Sequence, residues 1–196
     1  MTISIGFGDE RIITNMMGTL VGGIETTSAS IVQLLDQLFK RPKILKEAIE
    51  VANSNDDHLM YRYCWEALRF NPINPFVVRH CRTDYRIAKG SLRAATIKAG
   101  STVLVSTRSA MRDGFQLPAP SGFAIDRPES VYMHLGYGMH TCLGDQISRI
   151  QVPEIVRRIL QIPGVRPAAD IDFAGGPFPE RYLLTYDAPA SSGLPT

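Results

Sequence analysis

From about Glu10 to Phe39, apolar residues return at three- and four-residue steps: Ile12, Ile13, Met16, Met17, Leu20, Ile24, Ile31, Leu34, Leu35 and Leu38. The rhythm predicts a single helix of about thirty residues, more than twice the length of an average globular helix. It stops near Arg41-Pro42, because proline cannot continue a helix. A rod this long, apolar round much of its circumference, has to cross the centre of a domain and be covered by other elements.

The elements after the rod supply part of that cover, and a monomer of this length is expected to leave a large apolar patch of the rod exposed. A second helix is expected from Pro42, well suited to a first turn, to Ala52. The polar run Asn53–Asp57 makes a turn and a cap for a third helix, about His58 to Phe70, which ends before Asn71-Pro72. Short strands are expected at 76–78, 85–87, 96–97 and 102–105, punctuated by Gly90 and Gly100. Residues 113–134 carry prolines and glycines without periodicity, a long irregular loop of the kind that usually serves a function. A last helix is expected from Leu143 to Leu160, kinked by Pro153 or left with unsatisfied backbone there. Strand-like segments near Val165 and at Tyr182–Tyr186 close the fold, and the small polar tail from Ala188 is expected to be disordered. The class is helix-dominated α+β, in one domain.

Charge and cysteine usage narrow the function. Lys and Arg number 21 against 19 Asp and Glu, so no concentrated basic face exists to bind nucleic acid. Three widely spaced cysteines, Cys64, Cys81 and Cys142, build neither a disulfide framework nor a metal knuckle, which points to a reducing, cytoplasmic setting. No apolar run nears the roughly 20 residues of a membrane span, so no membrane anchor is expected.

The sharpest chemical signal is Leu135-Gly-Tyr-Gly-Met-His-Thr-Cys-Leu-Gly144, a glycine-rich turn with one cysteine just before a helix. Its glycines let backbone approach something large, and N–H groups of the turn can point at the sulfur and hold a thiolate. Two readings stay open on the residues alone: a thiolate metal ligand, or a glycine-rich turn around a buried cysteine. A dinucleotide loop fails, because Thr141 stands at the third glycine position.

This segment resembles the haem-binding loop of the cytochrome P450 superfamily, F-x-x-G-x-R/H-x-C-x-G. Gly138, His140, Cys142 and Gly144 match, with Leu135 where the family usually has phenylalanine. The resemblance implies Cys142 as proximal ligand of the iron of haem b (iron protoporphyrin IX) and His140 beside a propionate. Further matches come in family order. Glu66-Ala-Leu-Arg69 is similar to the E-x-x-R helix that locks the core below the haem, and on its own is only a helix-face ion pair. The lock's usual third arginine is expected at Gly122; either Arg127 takes its place or the lock stays open. Gly22-Gly23-Ile24-Glu25-Thr26-Thr27 resembles the oxygen-activation motif A/G-G-x-D/E-T-T/S. There the glycines admit a flat cofactor, Thr26 hydrogen-bonds oxygen at the iron, and Glu25 links it to a proton supply. Arg79, five residues before Asp84, fits the family's R-x-x-x-x-D strand and is a propionate candidate. Cys64 and Cys81 are read as packed residues, and His134 as a strand-end residue.

The matches run from about residue 9 to residue 187 and are similar to soluble bacterial members. They imply the C-terminal portion of the family's fold: central helix, E-x-x-R helix, small sheets, meander and cysteine loop. The chain opens at the oxygen-activation helix, so a preceding half, in cis or in trans, is expected to supply the lid and most of the substrate pocket. The implied activity is that of a haem-thiolate monooxygenase inserting oxygen into an apolar small molecule. Electrons would come indirectly from NAD(P)H through a ferredoxin or flavodoxin. The alternatives are a non-catalytic remnant that binds haem weakly, or a hydroperoxide-using isomerase or peroxygenase. Against the last stands the Glu25-Thr26 pair, which such chemistry does not need.

Overall fold

The computed structural model describes residues 8–187, so the tail from Ala188 lies outside the described residues. The rod is real: α1 runs unbroken over Asp9–Phe39, with Asp9 and Glu10 in a first turn that favours negative charge. Three shorter helices, α2 (Pro42–Ser54), α3 (Asp57–Phe70) and α5 (Asp145–Leu160), pack on its C-terminal half. Asn55 ends α2 in the left-handed region (φ 58°), and the Asp56 carboxylate caps α3 by accepting the Leu59 N–H at 2.8 Å. A four-residue turn of helix, α4 (Thr107–Ala110), comes after the strands and has no counterpart in the periodicity.

The core lies where these helices meet. Leu34 and Leu38 of α1, Ala48 and Ala52 of α2, Met60 and Cys64 of α3 and Val156 of α5 are fully enclosed. Each large aliphatic side chain among them contributes roughly 1.5–3 kcal/mol by leaving water. The first half of α1 behaves differently. Met16, Leu20 and Ile24 are 61%, 51% and 61% exposed, so that stretch of apolar surface has no cover among the described residues.

Six short strands form three antiparallel pairs. β1 (Val77–His80) pairs with β4 (Thr102–Val105), and between them β2 (Tyr85–Ile87) pairs with β3 (Ala95–Ile97), a hairpin nested inside a hairpin. Cys81 bridges the two by exchanging backbone hydrogen bonds with Ser101 and Gly100. β5 (Arg166–Pro167) and β6 (Leu184–Thr185) close the chain. Helix α5 continues through Pro153, which is buried in mid-helix; the ring removes one N–H donor from the helix. One expectation is corrected. His134 lies in a turn, not at a strand end, because the residues after it fold back to form the cysteine loop.

Candidate active site

The cysteine loop is built by its backbone. Leu135 O accepts the Cys142 N–H at 2.7 Å and closes the loop, and Gly138–His140 forms one tight 3-10 turn inside it. Gly136 has φ +86°, and a Cβ there would sit 2.5 Å from His140 O, so only glycine fits. Past the cysteine, Gly144 N–H donates to Cys142 Sγ at 3.3 Å, and Asp145 N–H donates to Cys142 O at 3.1 Å as α5 begins. Cys142 is exposed, whereas Cys64 is buried, and burial pushes its thiol up out of reach. Met139 and Leu143, on either side of Cys142 in the chain, are both 97% exposed. Leu135 instead turns its side chain into the core cluster.

On α1, nothing lies within 4 Å of where a Cβ would stand at Gly22 or Gly23. Thr26 Oγ donates back to Gly22 O, and Glu25 is exposed beside it. A cleft of about 350 Å³ opens between Gly23, Ile24 and Thr27 of α1 and Gln151 and Ile155 of α5. The glycine-threonine segment and the helix that carries the Cys142 loop therefore form its two walls. Arg79, on β1, donates to the neighbouring Val78 O at 2.8 Å and has no acidic partner among the described residues. His140 is exposed on the loop. Asp84 is taken up elsewhere: the Lys98 ammonium at 2.7 Å and the Ala99 N–H hold its carboxyl below the usual range.

Glu66 and Arg69 are wholly buried, not a surface pair. Arg69 Nε and Nη2 donate to the two Glu66 oxygens, each at 2.8 Å, and its other N–H groups reach the carbonyls of Met111, Pro120 and Gly122. Arg127 closes the lock. Its Nε donates to Glu66 Oε1 at 3.2 Å, and its remaining donors take Pro118, Ala119 and Gly122 carbonyls. The irregular loop is thereby pinned to α3 through its carbonyl groups, which explains how a segment without periodicity keeps one shape.

Two features had no clear signal in the sequence. The buried His134 ring stands edge-on to Trp65 (5.1 Å, 71°), with both nitrogens unpaired. Burial pushes its pKa down to about 3, helped by the Arg149 guanidinium and opposed by Asp145. Arg149 gathers Asp145, Glu129 and Tyr61 around one guanidinium. Only its i,i+4 spacing from Asp145 is readable in the chain; Tyr61 lies 88 positions away.

No group of three or more His, Cys, Asp or Glu among the described residues could hold a metal ion. A lone exposed thiol with one N–H aimed at its sulfur suits a metal whose remaining ligands arrive in a flat macrocycle, as haem iron's do. The exposed apolar side chains of Met139 and Leu143 and the bare backbone at Gly22-Gly23 suit the same flat, apolar group. The residues present fit a haem.

Comparison with known proteins agrees. The family model described as Cytochrome P450 matches residues 4–162. Mycinamicin IV hydroxylase/epoxidase from Micromonospora griseorubida is 28% identical over 159 residues, which make up 81% of this chain and 38% of that protein. Among solved structures, cytochrome P450 CYP109Q5 from Chondromyces apiculatus superposes with a TM-score of 0.79 at 23% identity, covering 94% of this chain and 47% of its own. P450BioI, solved with an acyl carrier protein ligated to hexadec-9Z-enoic acid, gives 0.78 at 22%, covering 92% and 46%. At these identities the structural likeness speaks for the fold, and the chain spans less than half the length of each of these three proteins.

Proposed function

The chain belongs to the cytochrome P450 family, and from that premise we propose that it carries the iron-ligating and oxygen-activating portion of a haem-thiolate monooxygenase. One observation carries the reading: the exposed Cys142 sulfur, with the Gly144 N–H donated to it, on a loop that ends in the first turn of α5. Cys142 Sγ is the single protein ligand to the iron of haem b. The donated N–H withdraws charge from the sulfur and steadies it as a thiolate. Bound there, haem supplies the activation of dioxygen and the insertion of one oxygen atom into an apolar small molecule. That class of reaction accords with the hydroxylase/epoxidase named among the relatives.

The chain's own side chains then have definite tasks. Thr26 keeps its hydroxyl proton on Gly22 O, and a rotation about χ1 turns that proton toward whatever polar group arrives over the glycines. Glu25, exposed beside it, is placed to accept a proton from solvent and pass it on. Arg79 and His140 are the positive or proton-donating groups for the two carboxylates of the macrocycle; the guanidinium fork suits a carboxylate and has no competing acid among the described residues. Leu20 and Ile24 present apolar surface that keeps water from the reacting end. A ferredoxin or flavodoxin drawing on NAD(P)H is the electron source that fits such a site.

The test is reconstitution with haem, with a preceding half supplied in cis or in trans, and then the spectrum of the reduced carbon monoxide complex. A thiolate-type Soret band that disappears in Cys142→Ala supports the reading. A band that is absent from the unchanged protein, or that survives in Cys142→Ala, overturns it.

A further inference from the structure

Gly144 caps α5 with no side chain of its own, so something else must fix the first turn of the helix. That turn matters, because the sulfur of Cys142 is set by it. Gly144 N–H reaches the sulfur, Cys142 O takes the Asp145 N–H, and Gly144 O takes the Ser148 N–H at 2.8 Å. A small rotation of the turn would move all three together.

Arg149 spans this turn and ties it to two distant parts of the chain. Its Nε donates to both Asp145 carboxylate oxygens at 3.1 Å. Its Nη1 donates to Tyr61 Oη of α3 at 2.6 Å and to Glu129 Oε2 of the irregular loop at 3.0 Å. Tyr61 O–H in turn donates to Glu129 Oε2 at 2.6 Å, which closes a ring of three groups. The guanidinium also covers the Tyr61 and Trp65 rings, 5.4 and 5.9 Å from their centroids. The Arg149 and Glu129 side chains are 35% and 55% exposed, so as a simple ion pair the contact would contribute little. Its value lies in direction: a planar fork with fixed donor angles can hold Asp145 on one side and Tyr61 with Glu129 on the other, which an ammonium cannot.

We propose that Arg149 is a positioning residue for Cys142: through Asp145, Tyr61 and Glu129 it fixes the first turn of α5 and so the hydrogen bond from Gly144 N–H to the sulfur. This rests on Cys142 being the haem ligand, but the clamp itself can be read without haem.

The experiment compares the unchanged chain with Arg149→Lys, Arg149→Gln, Tyr61→Phe and Glu129→Gln by residue-resolved amide hydrogen exchange, and then by the reduced carbon monoxide spectrum after haem loading. Both Arg149 variants should speed exchange at Asp145 and Ser148 by on the order of tenfold, leaving α2 amides at their original rates. Tyr61→Phe and Glu129→Gln should produce the same local pattern at smaller size. In the haem-loaded proteins the share of thiolate-type band should fall in the same order. Unchanged exchange in all variants overturns the proposal, and so does acceleration spread evenly over every helix, which would make Arg149 merely a source of stability. Arg149→Lys matching the unchanged chain also overturns it, because charge alone would then suffice. If the unchanged protein lacks a thiolate-type band while exchange shows the expected pattern, the ligand assignment falls and the clamp on the turn stands.

Discussion

Replacing His134 with phenylalanine should make the protein more resistant to acid. In the folded protein the ring is buried, and its pKa lies at about 3 against an ordinary 6.5. As pH falls below 6.5 the unfolded chain takes up a proton that the folded chain refuses, so stability drops through the window from 6.5 to 3. The slope there is about 1.4 kcal/mol per pH unit, which amounts to about 2 kcal/mol between pH 7 and pH 5. A phenylalanine ring has no proton to take up, so His134→Phe should lose about 2 kcal/mol less over that interval. It also removes two buried nitrogens without partners, a liability of roughly 1–3 kcal/mol each when buried, so it should be at least as stable at pH 7. The assay is urea unfolding at pH 7 and pH 5, monitored by the fluorescence of Trp65, the single tryptophan, which sits edge-on to the ring being changed. Equal acid losses in both proteins would refute the argument, and would mean that His134 protonates in place without strain.

Arg127→Ala should lower stability by about 3 kcal/mol in denaturant titration, since it strips one partner from the fully buried Glu66 and one donor from each of three loop carbonyls, of which Gly122 O keeps Arg69. An effect below about 0.5 kcal/mol would mean that Arg69, Tyr132 O–H and the Ala124 N–H satisfy Glu66 without it. Gly136→Ala should lower stability by about 2 kcal/mol or more, because φ +86° and a Cβ 2.5 Å from His140 O both forbid it. Gly144→Ala, whose Cβ would meet Cys142 Sγ at an ordinary 3.7 Å, should fold nearly as well, and thermal unfolding separates the two. In the complete, reconstituted enzyme, Thr26→Ala should leave reductant consumption similar while peroxide rises and product falls; unchanged coupling removes Thr26 from its role.

The elements were legible because each has a strong local cause. Periodicity over Glu10–Phe39 and the proline at 42 marked α1 to within a residue, and the glycines at 90 and 100 separated the strands. The short α4 was not legible, since four residues carry no period. At the site, the cysteine loop could be read because its geometry is written in glycines close to one another in the chain. The E-x-x-R pair could be found but not its burial, which depends on a loop 42 to 61 positions further on whose carbonyls accept from Arg69 and whose Arg127 donates to Glu66. His134 and Arg149 stayed hidden for the same reason: nothing near them in sequence says what they touch.

Those hidden contacts converge on one helix. From Met60 to Phe70, α3 is buried almost without interruption, yet it carries Tyr61, Glu66 and Arg69. Tyr61 receives the Arg149 fork, Trp65 packs against Tyr61 at 4.3 Å and against His134, and Glu66 with Arg69 holds the irregular loop. The cysteine loop is thus anchored at its start, through Tyr132 O–H to Glu66 Oε2 at 3.4 Å, and at its end, through Arg149 to Tyr61. Buried polar networks of this kind add little to stability, since apolar side chains of the same size would often do as well. They are good at excluding alternatives, because a loop shifted by one residue would leave charged groups unpaired in the interior. A thiolate ligand needs that property more than it needs raw stability. In the role proposed for Cys142 its sulfur needs one fixed position, and α3 is the element to which both ends of its loop are referred.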